Sequence, residues 1–284
     1  MSIVVTGATG HLGRLVVEAL LRRGVAPGGI VAAGRSVEKI KDLADRGVVT
    51  RRADFADTAS LQEAFAGAEK LLLVSATTPS ERIGNHQRAI DAAGAAGVSL
   101  IAYTSTLRAE ATTMTLGRSH WETEQYLRER HRNAVILRNG WYLDNYTEQL
   151  PLYRQNGVIV GAARDGRVSA ASRADYAEAA AVVLTGEDHA GAVYELGGDS
   201  AFTLAELAAA VSSATGEEIP YQDVPVTRLA EIYREAGLPA EFADTIADAD
   251  RGLALGELFT DSSDLRKLIG RPTTTLAEAL ANAR

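Results

Sequence analysis

Residues 3–13 read Ile3-Val4-Val5-Thr6-Gly7-Ala8-Thr9-Gly10-His11-Leu12-Gly13. An apolar, β-branched run meets three glycines spaced G-x-x-G-x-x-G. Leu12, Leu15, Val16, Ala19 and Leu20 then recur at helical spacing on one face. Strand, glycine turn and helix in that order are the context in which such glycines bind a dinucleotide. Gly7 suits a tight turn, Gly10 admits a pyrophosphate close to the backbone, and Gly13 lets the helix approach the strand. The N–H groups that open the helix, helped by its dipole, then face the phosphates. Ala8, Thr9, His11 and Leu12 complete that candidate cradle.

The bulk properties narrow the classes around this element. A chain of 284 residues can bury a full core, as one domain or as one domain with an appended lobe. A net charge of −8 argues against nucleic acid as the main partner, because holding phosphates along a strand needs clustered cations and only four lysines exist. Cysteine is absent, which excludes disulfides, thiolate nucleophiles and Cys-ligated metals. No stretch is long and apolar enough to span a membrane, and the first strand begins at once, so no secretory signal and a cytoplasmic location are expected.

Further strands follow in order. Ile30 to Ala33 form a second, ending at Gly34-Arg35-Ser36. An acid at this strand end binds the ribose 2′-hydroxyl of NADH, whereas an arginine accommodates a 2′-phosphate. Arg35 therefore favours NADPH, although a solvated loop arginine is the plainer alternative. A helix over 37–46 and a strand over 48–52 lead to Asp54, which suits either the adenine amino group or, like Asp57, a helix cap. The apolar run 71–74 reads as a strand covered on both faces, closed by the small residues Ser75, Ala76 and Thr77. Thr78-Pro79-Ser80-Glu81 has the form of a capping box with proline at the first helical position. A strand over 100–105, a long polar loop over 106–118, a helix opened by Ser119-His120-Trp121-Glu122 and a strand over 134–138 complete six βα repeats. Such repeats with short links predict a Rossmann-type, doubly wound parallel sheet with ligands beyond the carboxyl ends of its strands.

The character changes after Arg138. Trp141, Tyr142, Tyr146 and Tyr153 crowd one stretch of a chain that is only 6% aromatic. They suit either the wall of a flat apolar pocket or a packing seam. Beyond them come a small-residue helix over 174–184, a strand over 193–196, helices capped at Thr203 and Thr275, and helical segments broken at Gly237-Leu238-Pro239 and Gly270-Arg271-Pro272. The expected division is a nucleotide-binding domain over 1–138 and a smaller, mostly helical substrate-side lobe over 139–284, with some segments returning to the sheet.

These motifs resemble an atypical short-chain dehydrogenase/reductase of the NmrA-like group, and within it the NAD(P)H:quinone oxidoreductase type 2 family, which has triphenylmethane reductase as a relative. The resemblance runs through Thr6-Gly7-Ala8-Thr9-Gly10, Ala102-Tyr103-Thr104-Ser105, Leu137-Arg138-Asn139-Gly140-Trp141-Tyr142, Ser172-Arg173-Ala174-Asp175-Tyr176, Tyr194-Glu195-Leu196 and the stretch from Leu268 to Leu276. The first motif is generic to the superfamily; the Arg-Asn-Gly-Trp-Tyr stretch and the C-terminal run are more specific. It implies that residues 7–12, Arg35, the 75–77 turn, the segment 139–144 (Asn139, Gly140 and Trp141 among them) and Arg173 line an NADPH site.

The superfamily's usual proton donor is missing. None of the nine tyrosines is followed four residues later by lysine, and the helix that would carry the pair has His120 and Glu124 at that spacing. A general acid contributes about 10²- to 10⁴-fold. A ketone, whose alkoxide is strongly basic, needs that help more than a quinone, whose hydride adduct is a far weaker base. The leading expectation is NADPH-dependent quinone reduction by direct hydride transfer, without flavin or metal. Asn139 and Tyr142 are the candidates for touching nicotinamide or quinone oxygen, and Ser105 is a lesser one. His120 and Glu124 form either an acid with its orienting partner or ordinary packing. An NADP(H)-binding redox sensor without turnover and a reductase of another electron-poor acceptor, such as a dye, stay open. So do the physiological quinone and the oligomeric state, a homo-oligomer included.

Overall fold

The computed structural model describes residues 2–76 and 78–283. In chain order the elements are β1 (Ile3–Val5), α1 (His11–Arg22), β2 (Ile30–Gly34), α2 (Lys41–Asp45), β3 (Val49–Arg52), α3 (Thr58–Phe65), β4 (Lys70–Leu73), α4 (Pro79–Ala95), β5 (Leu100–Thr106), α5 (Thr115–Arg130) and β6 (Val135–Asn139). Then come α6 (Asp144–Thr147), α7 (Leu150–Asn156), β7 (Ile159–Gly161), α8 (Arg173–Thr185), β8 (Val193–Leu196), α9 (Leu204–Thr215), β9 (Tyr221–Asp223), α10 (Val226–Glu235), α11 (Ala240–Ala254), α12 (Asp264–Ile269) and α13 (Leu276–Asn282).

Seven strands form the main sheet in the order β3-β2-β1-β4-β5-β6-β8. The pairs β2–β3, β1–β2, β1–β4, β4–β5 and β5–β6 are parallel. The order reverses between β1 and β4, which is where an open α/β sheet offers a crevice at its carboxyl edge. The expected α/β architecture is present.

The chain divides into two compact units. The first holds the chain up to Thr106 together with Ser119–Asn139 and Arg173–Tyr194; the second holds Leu107–Arg118, Gly140–Ser172 and Glu195–Arg284. In the first unit Val4, Val31, Leu71, Leu73, Ile101, Tyr103 and Ile136 pack with Phe65, Ala89, Ile90 and Leu127 into one buried cluster. Strands covered on both faces must be apolar throughout, which explains the unbroken run of β4. The second unit has its own core, built on Leu143, Tyr146, Tyr153, Phe202, Leu207, Val211 and Leu253. Two of the aromatic residues after Arg138 are thus core residues, and Trp141 packs against the same cluster.

Several local expectations change. The stretch 37–46 splits into a 3₁₀ turn over Val37–Ile40 and the short α2. Thr78 precedes α4 without a side-chain cap, although proline does occupy its first turn. Helix α5 starts at Thr115, not at Ser119, because its amide is capped from a distance: Thr115 N–H donates to the Asp248 carboxylate at 2.7 Å. The two-stranded parallel sheet of β7 and β9 has no counterpart in the sequence reading. The capping boxes at Thr203 and Thr275 are formed in full.

Candidate nucleotide and acceptor site

The glycine turn is built for two different purposes. Gly7 adopts φ +63°, and a Cβ at Gly13 would lie 2.4 Å from the Gly7 carbonyl oxygen, so both are required by the fold itself. Gly10 is different. Its φ is −103°, it is exposed, and the nearest atom to a Cβ there would be 3.4 Å away. Gly10 N–H donates to the Gly7 carbonyl at 2.9 Å and tightens the turn. Helix geometry leaves the N–H groups of His11, Leu12 and Gly13 without intrahelical partners. Open backbone with unspent donors at a positive dipole end fits a pyrophosphate.

At the end of β2, Arg35 is exposed and forms no ion pair among the described residues. Nearby cations do: Arg14 pairs with Asp42, Lys41 with Asp45 and Arg46 with Glu18. Thr9 packs against Gly34, where a Cβ would come within 2.8 Å of its side chain. Asp54 is half-buried and accepts from Ala56 N–H at 3.0 Å, while Asp57 caps α3 through Ser60 N–H at 3.2 Å. Ser75 and Ala76 are half-buried; Thr77 lies outside the described residues.

Two polar clusters lie beneath the carboxyl edge of β5 and β6. In one, the Glu124 carboxylate accepts from Ser105 Oγ at 2.6 Å and from Arg138 Nε and Nη2 at 3.0 and 2.7 Å. All three residues are buried, and the fork-on-carboxylate geometry spends Glu124 on structure. In the other, the Tyr103 hydroxyl lies 2.7 Å from His120 Nδ1, and His86 Nδ1 lies 3.0 Å from Thr123 Oγ1. Burial, with Arg82 and His86 nearby, holds His120 well below the ordinary histidine range, so it stays a neutral imidazole. His120 and Glu124 therefore share a helix face, but each hydrogen-bonds to residues other than its neighbour. Ser105 is likewise already engaged.

Asn139, the last residue of β6, is 5% exposed, and neither its amide oxygen nor its nitrogen has a hydrogen-bond partner. A buried amide left wholly unsatisfied is costly and rare. Its donor and acceptor match a carboxamide, so Asn139 fits the nicotinamide end of NADPH as the glycine turn fits the pyrophosphate. Arg173 opens α8 and is half-buried. In the second unit Tyr142 is half-buried and bridges to Ala171, while Gly140 N–H donates to the Leu196 carbonyl at 2.7 Å. Sequence reading missed Arg82, His86 and Tyr103 as parts of a buried polar cluster. Among the described residues no group of three or more His, Asp or Glu is placed to hold a metal, and no helix is long and apolar enough to cross a membrane.

Comparison with known proteins gives the same frame. Quinone oxidoreductase 2 of Escherichia coli (strain K12) is 45% identical over 280 residues, 99% of this chain and 98% of that protein. The crystal structure of an NADPH-dependent quinone oxidoreductase from E. coli complexed with NADPH superposes with a TM-score of 0.95 over 99% of each chain. The Citrobacter sp. triphenylmethane reductase complexed with NADP(H) is 38% identical, with a TM-score of 0.93 over 100% of both chains. The NmrA-like family pattern matches residues 1–273, and the chain belongs to that family.

Proposed function

We propose that this chain is an NADPH-dependent quinone reductase that passes hydride directly to its acceptor, with no flavin or metal between them. The observation that carries this reading is the state of the two residues standing where the superfamily's proton-donating pair would be. Glu124 is locked to Arg138 and Ser105, and His120 is held neutral by burial. Neither is a ready acid. An enzyme so built suits an acceptor whose reduced form is a weak base, and a quinone is such an acceptor. The full-length likeness to a quinone oxidoreductase supports the same substrate class.

Bound NADPH supplies the hydride from its nicotinamide C4. The chain's own residues do the rest: the first turn of α1 takes the pyrophosphate, Arg35 the 2′-phosphate, and Asn139 the carboxamide. Tyr142 is assigned to the acceptor. The acceptor gains two electrons and one proton as hydride, and its second proton comes from water. Catalysis then rests on positioning the reacting carbons and excluding solvent. Anaerobic NADPH oxidation with a panel of benzoquinones, with the uncatalysed rate subtracted, tests the reading. Turnover of quinones is expected; NADPH binding without turnover of any quinone would assign the chain to a sensor instead.

A further inference from the structure

Past β4 the chain is held by side chains, one peptide group after another. Val74 N–H donates to Thr6 Oγ1 at 2.9 Å, Ser75 N–H to Thr104 Oγ1 at 2.9 Å, and Ala76 N–H to His86 Nε2 at 2.9 Å. Arg82 Nε donates to the Ala76 carbonyl at 2.8 Å, and its Nη1 to Ser119 Oγ at 2.7 Å. The grip on Ala76 thus comes from two residues one turn apart on α4, both almost wholly buried. Arg82 has no carboxylate partner among the described residues, unlike Arg138. A buried guanidinium without an anion is expensive, and a turn that merely connected two elements would close with backbone bonds and solvent instead.

The proton positions follow from the partners. Thr123 Oγ1 donates to the Ser119 carbonyl at 2.9 Å, so towards His86 it accepts, and the His86 proton sits on Nδ1. Nε2 is left with a lone pair, which is what Ala76 N–H requires. Protonation of the ring would set a donor against a donor. Burial, with Arg82 beside it, pulls the His86 pKa down to about 3, so the acceptor persists at neutral pH.

We propose that His86 and Arg82 are positioning residues that fix the 75–76 turn in the shape bound NADPH requires, His86 through the acceptor at its Nε2. The proposal rests on the reading that this turn borders NADPH. His86→Gln can return an acceptor to the Nε2 position; the shorter amide of His86→Asn reaches only the Nδ1 side. His86→Phe keeps a ring and loses both bonds. NADPH dissociation constants, KM for NADPH, kcat and ligand-free thermal unfolding are measured for each, with Gly10→Val alongside. His86→Phe and His86→Asn are expected to weaken NADPH binding and raise its KM about tenfold, the worth of one well-placed hydrogen bond, with His86→Gln within about threefold of the parent. Equal NADPH affinity in the Gln and Asn variants, or lowered melting temperature with unchanged affinity, would overturn the positioning role. If Gly10→Val retains NADPH affinity, the underlying reading of the site fails instead. If Gly10→Val loses it and the His86 variants do not, only the positioning role fails.

Discussion

The Tyr103 hydroxyl lies 2.7 Å from Nδ1 of His120, and this pairing leaves Glu124, one turn further along α5, to its own partners Ser105 and Arg138. The two α5 residues therefore fail in different ways when changed. His120→Ala is expected to lower quinone turnover less than about tenfold, under about 1.4 kcal/mol. Glu124→Gln is expected to act on stability, because it leaves Arg138 buried without its charge partner, at about 3–5 kcal/mol. Turnover of the folded Gln variant should also fall less than about tenfold. Denaturant unfolding and steady-state kinetics on both variants separate the effects. A loss of a hundredfold in His120→Ala with NADPH binding intact would make His120 the proton donor.

Gly10 and Gly13 look alike in the sequence and differ in what surrounds them. A Cβ at Gly10 comes no nearer than 3.4 Å to any other atom, so Gly10→Val should leave thermal unfolding near the parent value and abolish NADPH binding. A Cβ at Gly13 falls 2.4 Å from the Gly7 carbonyl, so Gly13→Ala should destabilise the fold itself, by about 1–3 kcal/mol, as overpacking does. The reverse pattern would place the phosphates elsewhere.

This contrast shows what the sequence can reveal. The fold was legible because its signals are local: an apolar β1, a glycine turn and an amphipathic α1, then further strands alternating with helical stretches. The capping boxes at Thr203 and Thr275 were legible for the same reason. The start of α5 was not, because Asp248 supplies its cap from 133 residues away. Strands β7 and β9, three residues each, are too short to show a period. The grip on the 75–76 turn left a fainter signal. Arg82 and His86 share the helical stripe that continues through Ala89 and Ala93, both fully buried, so two polar residues sit on a core-facing face of α4. The candidates Arg35 and the glycine turn came from strand ends, where an α/β sheet places its ligands, and Asn139 came from the family resemblance.

Arg35 is the residue proposed to discriminate between the two nicotinamide cofactors. With no ion pair among the described residues to compete, its guanidinium is available to a 2′-phosphate. Parallel titrations should show tighter binding of NADPH than NADH, and Arg35→Asp should reduce or reverse the preference. Equal affinities in the parent, unchanged by the substitution, would remove Arg35 from the site.

Acid should affect the two units in opposite directions. His86 is held near 3 in the folded chain against an ordinary value of 6.5, so its contribution is complete above pH 6.5 and is lost as pH falls towards 3, about 2 kcal/mol by pH 5. Asp250 is pushed up to about 6 by burial, so its charge destabilises the second unit above that pH, and the penalty is relieved as pH falls from 6 towards 4. Asp250→Asn can still accept from Ala162 N–H, which lies 2.8 Å from the carboxylate, and should stabilise at pH 8 by up to about 3 kcal/mol and not at pH 4. Unfolding curves at pH 8, 6 and 4 for the parent, His86→Gln and Asp250→Asn check both signs.

The central claim is hydride transfer to a quinone with no protein acid in the rate-determining step. Single-turnover reduction of a benzoquinone, followed anaerobically from pH 5.5 to 8 with NADPH carrying either hydrogen or deuterium at the transferred position, addresses it most directly. The account predicts a primary isotope effect and a rate that stays flat with pH. A rate that falls through a single titration near neutrality, and becomes flat in His120→Ala, would contradict it.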